Sequence, residues 1–131
     1  MTAGRLMAIV SLVALLALVG CQAARKADGA GYAMITAQNL QSEIDKGEKL
    51  VIVDLREPGL YRSGHIPGAK NIPFEQFKDR MNELSPESKI VLVCHTGEMG
   101  DISGALLAER GYAKVSNLKG GMAAWSGRLE K

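Results

Sequence analysis

The segment Lys89–Asp101, KIVLVCHTGEMGD, carries a cysteine out of an apolar run into a stretch with two glycines, Gly97 and Gly100. Its chemistry would be that of a thiolate, the form of cysteine that attacks electrophilic sulfur or carbon. A helical pattern begins near Asp101, so unpaired N–H groups and the positive end of a helix dipole would point back at the loop, which favours an anion there. Two readings of Cys94 stand at this point: a nucleophile held in a backbone amide cradle, or an inert thiol buried at a strand end, where free cysteine is commonly found. The charges nearby are Glu98 and Asp101, with no arginine, although a loop built for an anion would invite positive charge. His65 and His95 lack the ligand spacing of a structural zinc site, so no metal is expected.

The elements that must position this loop follow from hydrophobic pattern. LVIVD from Leu50 and IVLVC from Ile90 are continuously apolar and rich in β-branched residues, as in parallel strands covered on both faces. A helix is predicted with Thr36 as N-cap, with Ala37, Leu40 and Ile44 on one face and Gly47 ending it. A second runs over Pro73–Leu84, with Phe74, Phe77, Met81 and Leu84 at helical spacing, Pro73 in the first turn and Ser85-Pro86 as the stop. Another follows the cysteine loop through Ile102, Ala105 and Leu106, closed by Gly111. Shorter strands are expected at Lys70–Ile72 and Lys114–Asn117, and a last short helix carries Met122 and Trp125. Alternating strands and helices predict an α/β fold with a mostly parallel sheet, and strand ends in such sheets are where ligands gather.

The chain has 131 residues, 47% apolar and 23% charged, with a net charge of +2, which suits one globular domain. Lys and Arg are scattered along it, so no nucleic-acid partner is expected. Residues 1–20 read as a cleavable secretory leader: Arg5 is followed by LMAIVSLVALLALVG, an uncharged run too short for a comfortable span of about 20 residues. Leu18-Val19-Gly20-Cys21 resembles the lipobox of bacterial lipoproteins, which implies a lipid-modified Cys21 as the mature N-terminus. Two or more acyl chains would anchor the protein stably to a membrane. Gln22 in place of Asp implies the periplasmic side of the cell envelope, at the outer membrane if the host has one. Residues 21–31 read as a flexible tether and 32–131 as the domain. With Cys21 lipidated, Cys94 has no partner in the chain, and an exposed unpaired thiol in an oxidising compartment points to a chemical role.

VDLREPGLYRSGHIPGAKNIP over Val53–Pro73, VLVCHTG and NLKGGMAAW over Asn117–Trp125 resemble the rhodanese family in order and spacing, over nearly all of residues 33–126. The resemblance implies a rhodanese-like fold, about five parallel strands flanked by helices on both faces, with an active-site loop of Cys94, His95, Thr96, Gly97, Glu98 and Met99, followed by Gly100. It implies sulfurtransferase chemistry without a cofactor, in which Cys94 takes a sulfane sulfur from a donor such as thiosulfate or a persulfide and passes it to a thiophilic acceptor. Loop amides would stabilise the persulfide anion. Asp54, Arg56 and His65 would hold neighbouring loops, and Arg56 or Arg62 would meet an anionic donor. The simpler reading, preferred from the residues alone, is that Asp54 and Arg56 form a structural pair and His65 makes a fixed hydrogen bond in a turn. Lys119, just before Gly120-Gly121, would lend positive charge or stand solvated, while Met122 and Trp125 read as core.

Many single-domain members place an arginine where this chain has Met99, and serine or a similar residue where it has Gly100. A dianionic donor would then face Glu98 and Asp101 uncompensated, which predicts weak use of thiosulfate. Phosphatases of the C-x5-R kind are excluded because Gly100 stands where their arginine would be. The alternative from another class is a catalytically weak, membrane-tethered binding or sensing module. The expected partners are a small-molecule or protein sulfur donor and acceptor, with the chain itself a monomer.

Overall fold

The computed structural model describes residues 31–131; the predicted leader 1–20, Cys21 and all of the predicted tether except Gly31 lie outside them. Five strands form one parallel sheet: β1 (Ala33–Ile35), β2 (Val51–Asp54), β3 (Lys70–Asn71), β4 (Ile90–Val93) and β5 (Val115–Leu118), in the spatial order β1-β5-β4-β2-β3. The four α-helices are α1 (Ala37–Asp45), α2 (Pro58–Ser63), α3 (Phe74–Arg80) and α4 (Glu98–Glu109). This is the five-stranded parallel α/β arrangement that the resemblance implies.

β4 lies at the centre, and every one of its residues is buried. Its side chains alternate: Ile90 and Leu92, with Cys94 just beyond the strand, point into one cluster with Phe77 of α3 and Leu107 of α4, whereas Val91 and Val93 point into another with Leu40 of α1 and Ile66. Burial on both faces explains why the run is uniformly apolar. Each fully buried aliphatic or aromatic side chain contributes about 1.5–3 kcal/mol, so these layers fix where the strand ends. Because all five strands are parallel, Asp54, Cys94 and Lys119 arrive at the same side of the sheet, at the carboxyl ends of β2, β4 and β5.

The strands expected at Lys70–Ile72 and Lys114–Asn117 run Lys70–Asn71 and Val115–Leu118, and three helices differ from the sequence reading. The helix expected over Pro73–Leu84 ends at Arg80 and continues as a 3₁₀ turn, Met81–Glu83. The buried Tyr112 hydroxyl lies 3.1 Å from the Met81 carbonyl and 2.9 Å from that of Leu84, and the Met81 carbonyl also accepts the Leu84 N–H at 3.0 Å, the i to i+3 bond of the tighter turn. Pro73 is extended (ψ 141) and precedes the helix. The last helix is a 3₁₀ turn, Gly121–Ala124, with Met122 and Trp125 packed beside the α1 cluster. Helix α4 begins at Glu98, three residues before the expected start. Gly97 is therefore its N-cap, and the loop proper shrinks to Cys94–Gly97, with Glu98, Met99 and Gly100 in the first turn.

Among the described residues no helix is long and apolar enough to cross a membrane.

Candidate active site

Cys94 follows the last residue of β4, and its carbonyl is clamped from beyond β5. The Met122 N–H donates to Cys94 O at 2.7 Å and the Ala123 N–H to His95 O at 3.0 Å, so the 3₁₀ turn after β5 holds the first two residues of the loop. That approach requires Gly121, whose φ is +56 and where a Cβ would overlap the Cys94 carbonyl oxygen. On the other side, the Gly97 N–H donates to Cys94 Sγ at 3.0 Å. Gly97 holds φ at +121, a conformation disfavoured for residues with a Cβ. One amide of the expected cradle is thus directed at the sulfur, with the N-terminus of α4 immediately behind it.

The sulfur is not exposed, which corrects the expectation of an exposed nucleophile. Cys94 is 1% exposed, within the cluster that holds Phe77 and Leu107, with the partly buried Phe74 and Met99 packed against that cluster. Its backbone position at a strand end is legible in the sequence, but the cover comes from α4 and α3, which the local pattern does not place. The inference from an exposed free thiol lapses accordingly; Cys94 is the free cysteine among the described residues.

Beside the loop lies an open cleft of about 560 Å³. Leu55, Pro58, Pro73, Phe74 and Met99 make its apolar wall, with Arg62, Glu57, Glu75 and His95 around them. Met99 belongs both to this wall and to the packing on the Cys94 cluster, so its thioether stands between cleft and core. Thr96, like His95, is exposed.

The charges fall differently from the sequence reading. Asp101 does not face the cleft: its Oδ1 accepts from the Tyr32 hydroxyl at 2.7 Å and from Asn117 Nδ2 at 2.9 Å. Glu98 is exposed and does not line the cleft, whereas Arg62 does. The uncompensated pair of acids expected opposite a donor is therefore absent from the cleft wall. Arg56 is removed from the donor side as well. Its guanidinium meets Asp54 through Nε at 3.0 Å and Nη2 at 2.7 Å and donates to the Gly64 carbonyl at 2.8 Å, with the residue 6% exposed. Breaking a buried pair of this kind costs about 3–5 kcal/mol, so Asp54 and Arg56 brace the turn that carries Arg62. His65 sits further along that turn. Its ring stacks on Tyr61 at 3.8 Å, and Nδ1 lies 2.9 Å from the Tyr61 carbonyl, which only accepts, so Nδ1 carries the hydrogen. Lys119 is exposed; its backbone N–H extends the ladder to Ile35 at 2.8 Å, and it makes no ion pair among the described residues.

Sequence reasoning missed Tyr32 and Asn117. The available signal was weak, a polar Asn117 between Ser116 and Leu118 in the short strand VSNL. Burial, then the hydrogen bond and charge of Asp101, pushes Tyr32 up to about 12 from 10.0. A raised phenol pKa means that folding favours the protonated form, so its stabilisation is complete below about pH 10 and is lost as pH climbs through about 12. Tyr32→Phe is expected to flatten this alkaline loss by about 2 kcal/mol. Urea unfolding of both proteins near pH 9 and near pH 11.5 measures it; parallel losses would refute the assignment.

The family profile described as "Rhodanese-like domain" matches residues 36–128. A sulfurtransferase of Allochromatium vinosum is 32% identical over 92 residues, covering 70% of this chain and 86% of that protein. The thiosulfate sulfurtransferase GlpE of Pseudoalteromonas translucida is 35% identical over 68% of this chain and 83% of its own length. The match spans only 52% and 65% of two Bacillus subtilis relatives, YrkF and YqhL, at 33% and 35% identity. Among solved structures, the Alr3790 protein of Anabaena sp. superposes with a TM-score of 0.68 at 35% identity, covering 73% of this chain and 81% of that one. With a strand-end cysteine under a glycine amide and a profile match across almost the whole described domain, the chain belongs to the rhodanese-like family.

Proposed function

We propose that the protein is a sulfurtransferase working through a Cys94 persulfide, with an organic persulfide as its preferred donor. The observation that carries this reading is the Gly97 N–H directed at Cys94 Sγ at the mouth of α4. The thiolate attacks the outer sulfur of the donor; a new S–S bond forms at Sγ, the donor's S–S bond breaks, and the donor thiolate leaves with the bonding pair. A thiol or cyanide then attacks the outer sulfur of the enzyme persulfide and releases the Cys94 thiolate. The exchange is balanced without an added oxidant or reductant. Gly97 and the dipole of α4 favour the anion in each resting state.

The donor preference rests on the cleft. Its apolar wall suits the carbon skeleton of an organic persulfide, and Arg62 is set against Glu57 and Glu75, so positive charge is not in excess as an inorganic dianion requires. Met99, with three rotatable bonds, is the side chain that swings to admit the donor to the sulfur. Met99→Arg is expected to lower KM for thiosulfate severalfold. Thiosulfate turnover by wild type as fast as with glutathione persulfide, with no fall in KM on substitution, would overturn the preference.

The direct test of the reaction is intact-protein mass after incubation of reduced protein with glutathione persulfide or thiosulfate. One added sulfur, about 32 Da, mapped to the Cys94 peptide and discharged by cyanide, is the expected result. The tethered binding module is favoured by one observation, the 1% exposure of Cys94, and would be supported by no added mass with either donor. The proposal includes lipid attachment at Cys21 and a domain held at the periplasmic face of the envelope, on the strength of the leader pattern in residues 1–21. Labelling with a fatty acid analogue, lost in Cys21→Ser, checks the anchor.

A further inference from the structure

Asn117 occupies a fully buried position of β5 on the side facing α4, where an apolar residue would be the stable choice. Its Nδ2 donates to the Gly97 carbonyl at 2.8 Å and to Asp101 Oδ1 at 2.9 Å. Its Oδ1 has no hydrogen-bond partner among the described residues and lies against Gly100, where a Cβ would overlap it. Any side chain at position 100 would thus displace the amide, which accounts for the glycine in that place. Behind Asp101 stands the Tyr32 hydroxyl at 2.7 Å. The Gly97 carbonyl also accepts the Asp101 N–H at 3.0 Å, so both ends of this glycine are engaged: its carbonyl by Asn117 and α4, its N–H by Cys94 Sγ.

We infer that Asn117 is the positioning residue of the Cys94 loop. Glycine at φ +121 has wide conformational freedom, and rotation about its φ or ψ would swing the N–H away from the sulfur. Asn117 removes that freedom by fixing the carbonyl from a rigid strand, and Asp101 with Tyr32 fixes Asn117 in turn. The acidic residue that looked hostile to an anion is a strut of the cradle. This rests on the proposed Cys94 chemistry only for its consequence for rate; the pinning of Gly97 stands on geometry.

The experiment compares the full chain with Asn117→Asp and with the exchanged pair Asn117→Asp/Asp101→Asn. A carboxylate at 117 offers no donor to the Gly97 carbonyl in either variant, but the exchanged pair restores a donor-acceptor contact between positions 117 and 101. Hydrogen exchange of the Gly97 amide, read by NMR, is expected to speed up at least about tenfold in both variants. With glutathione persulfide, kcat is expected to fall about 10- to 100-fold at unchanged KM in both, while the melting temperature recovers in the exchanged pair. Wild-type Gly97 exchange in Asn117→Asp, or recovery of kcat together with melting temperature in the exchanged pair, overturns the inference and leaves Asn117 a structural residue. If wild type takes sulfur from no donor, the proposed function fails, and Gly97 exchange alone still decides whether Asn117 pins the loop.

Discussion

Cys94→Ser is expected to abolish sulfur loading, with no 32-Da adduct and turnover down at least about 1,000-fold, while the melting temperature falls by only a few degrees. A serine hydroxyl is not ionised near neutral pH and carries no polarisable sulfur to accept a sulfane atom. The fold has little reason to fail. Serine is close in size, and its oxygen can accept the Gly97 N–H that Sγ accepts at 3.0 Å. The cost is a hydroxyl hydrogen placed in the apolar cluster of Phe77 and Leu107, about 1–2 kcal/mol if it finds no acceptor. Mass spectrometry, steady-state turnover and thermal melting by circular dichroism give the three quantities. Sulfur transfer at the wild-type rate by the serine variant would sink the assignment of Cys94 as the acceptor.

Gly121→Ala is the second large effect, and it acts on the clamp rather than on the nucleophile. Alanine at φ +56 carries left-handed strain of about 1–2 kcal/mol, and its Cβ would overlap the Cys94 carbonyl oxygen and lie 2.6 Å from the His95 carbonyl carbon. Either the turn Gly121–Ala124 withdraws and loses the 2.7 Å bond from Met122 N–H to Cys94 O, or β4 shifts at its end. The combined loss is expected to be about 3–4 kcal/mol. Gly111→Ala isolates the strain, because Gly111 has φ +86 and nothing within 4 Å of the place a Cβ would take. Urea unfolding of the two variants should therefore differ by about 2 kcal/mol, with Gly121→Ala the weaker protein, and its folded fraction should load sulfur at least about tenfold more slowly. Equal destabilisation of the two would show that the clamp is soft and that the strand end does not depend on it.

The segments legible in the sequence are those whose signal is local. IVLVC reads as a doubly covered strand because β4 is buried on both faces, and Thr36 reads as an N-cap because its side-chain oxygen accepts the Asn39 N–H at 3.2 Å, within one turn. Pattern yields neither β1, three residues long and buried only at Ile35, nor α2, six residues long with no buried residue and so no apolar face to read. The start of α4 is misplaced by pattern because Gly97 and Gly100 look alike as residues. One is needed for its backbone conformation and the other for the space it leaves Asn117. The Arg56 guanidinium could be assigned either to Asp54 or to a donor until the fold placed the Gly64 carbonyl 2.8 Å away.

By itself, then, the sequence determined the alternation of strands and helices, the arrival of Cys94 at the end of a central strand and the family to which the motifs point. The first two rest on hydrophobic periodicity and capping, which are written within a few consecutive residues; the family rests on the resemblance of the motifs around Val53–Pro73, Cys94 and Asn117–Trp125. Tertiary structure decided the exposure of the thiol, the company that Asp101 keeps and the cation that reaches the cleft. Those properties depend on contacts between residues far apart in the chain, such as Asn117 with Gly97 across 20 positions and Tyr32 with Asp101 across 69. Charge near a loop in sequence says nothing of the direction in which a carboxylate points, and here Tyr32, just before β1, and Asn117 of β5 turn Asp101 from the substrate to the scaffold.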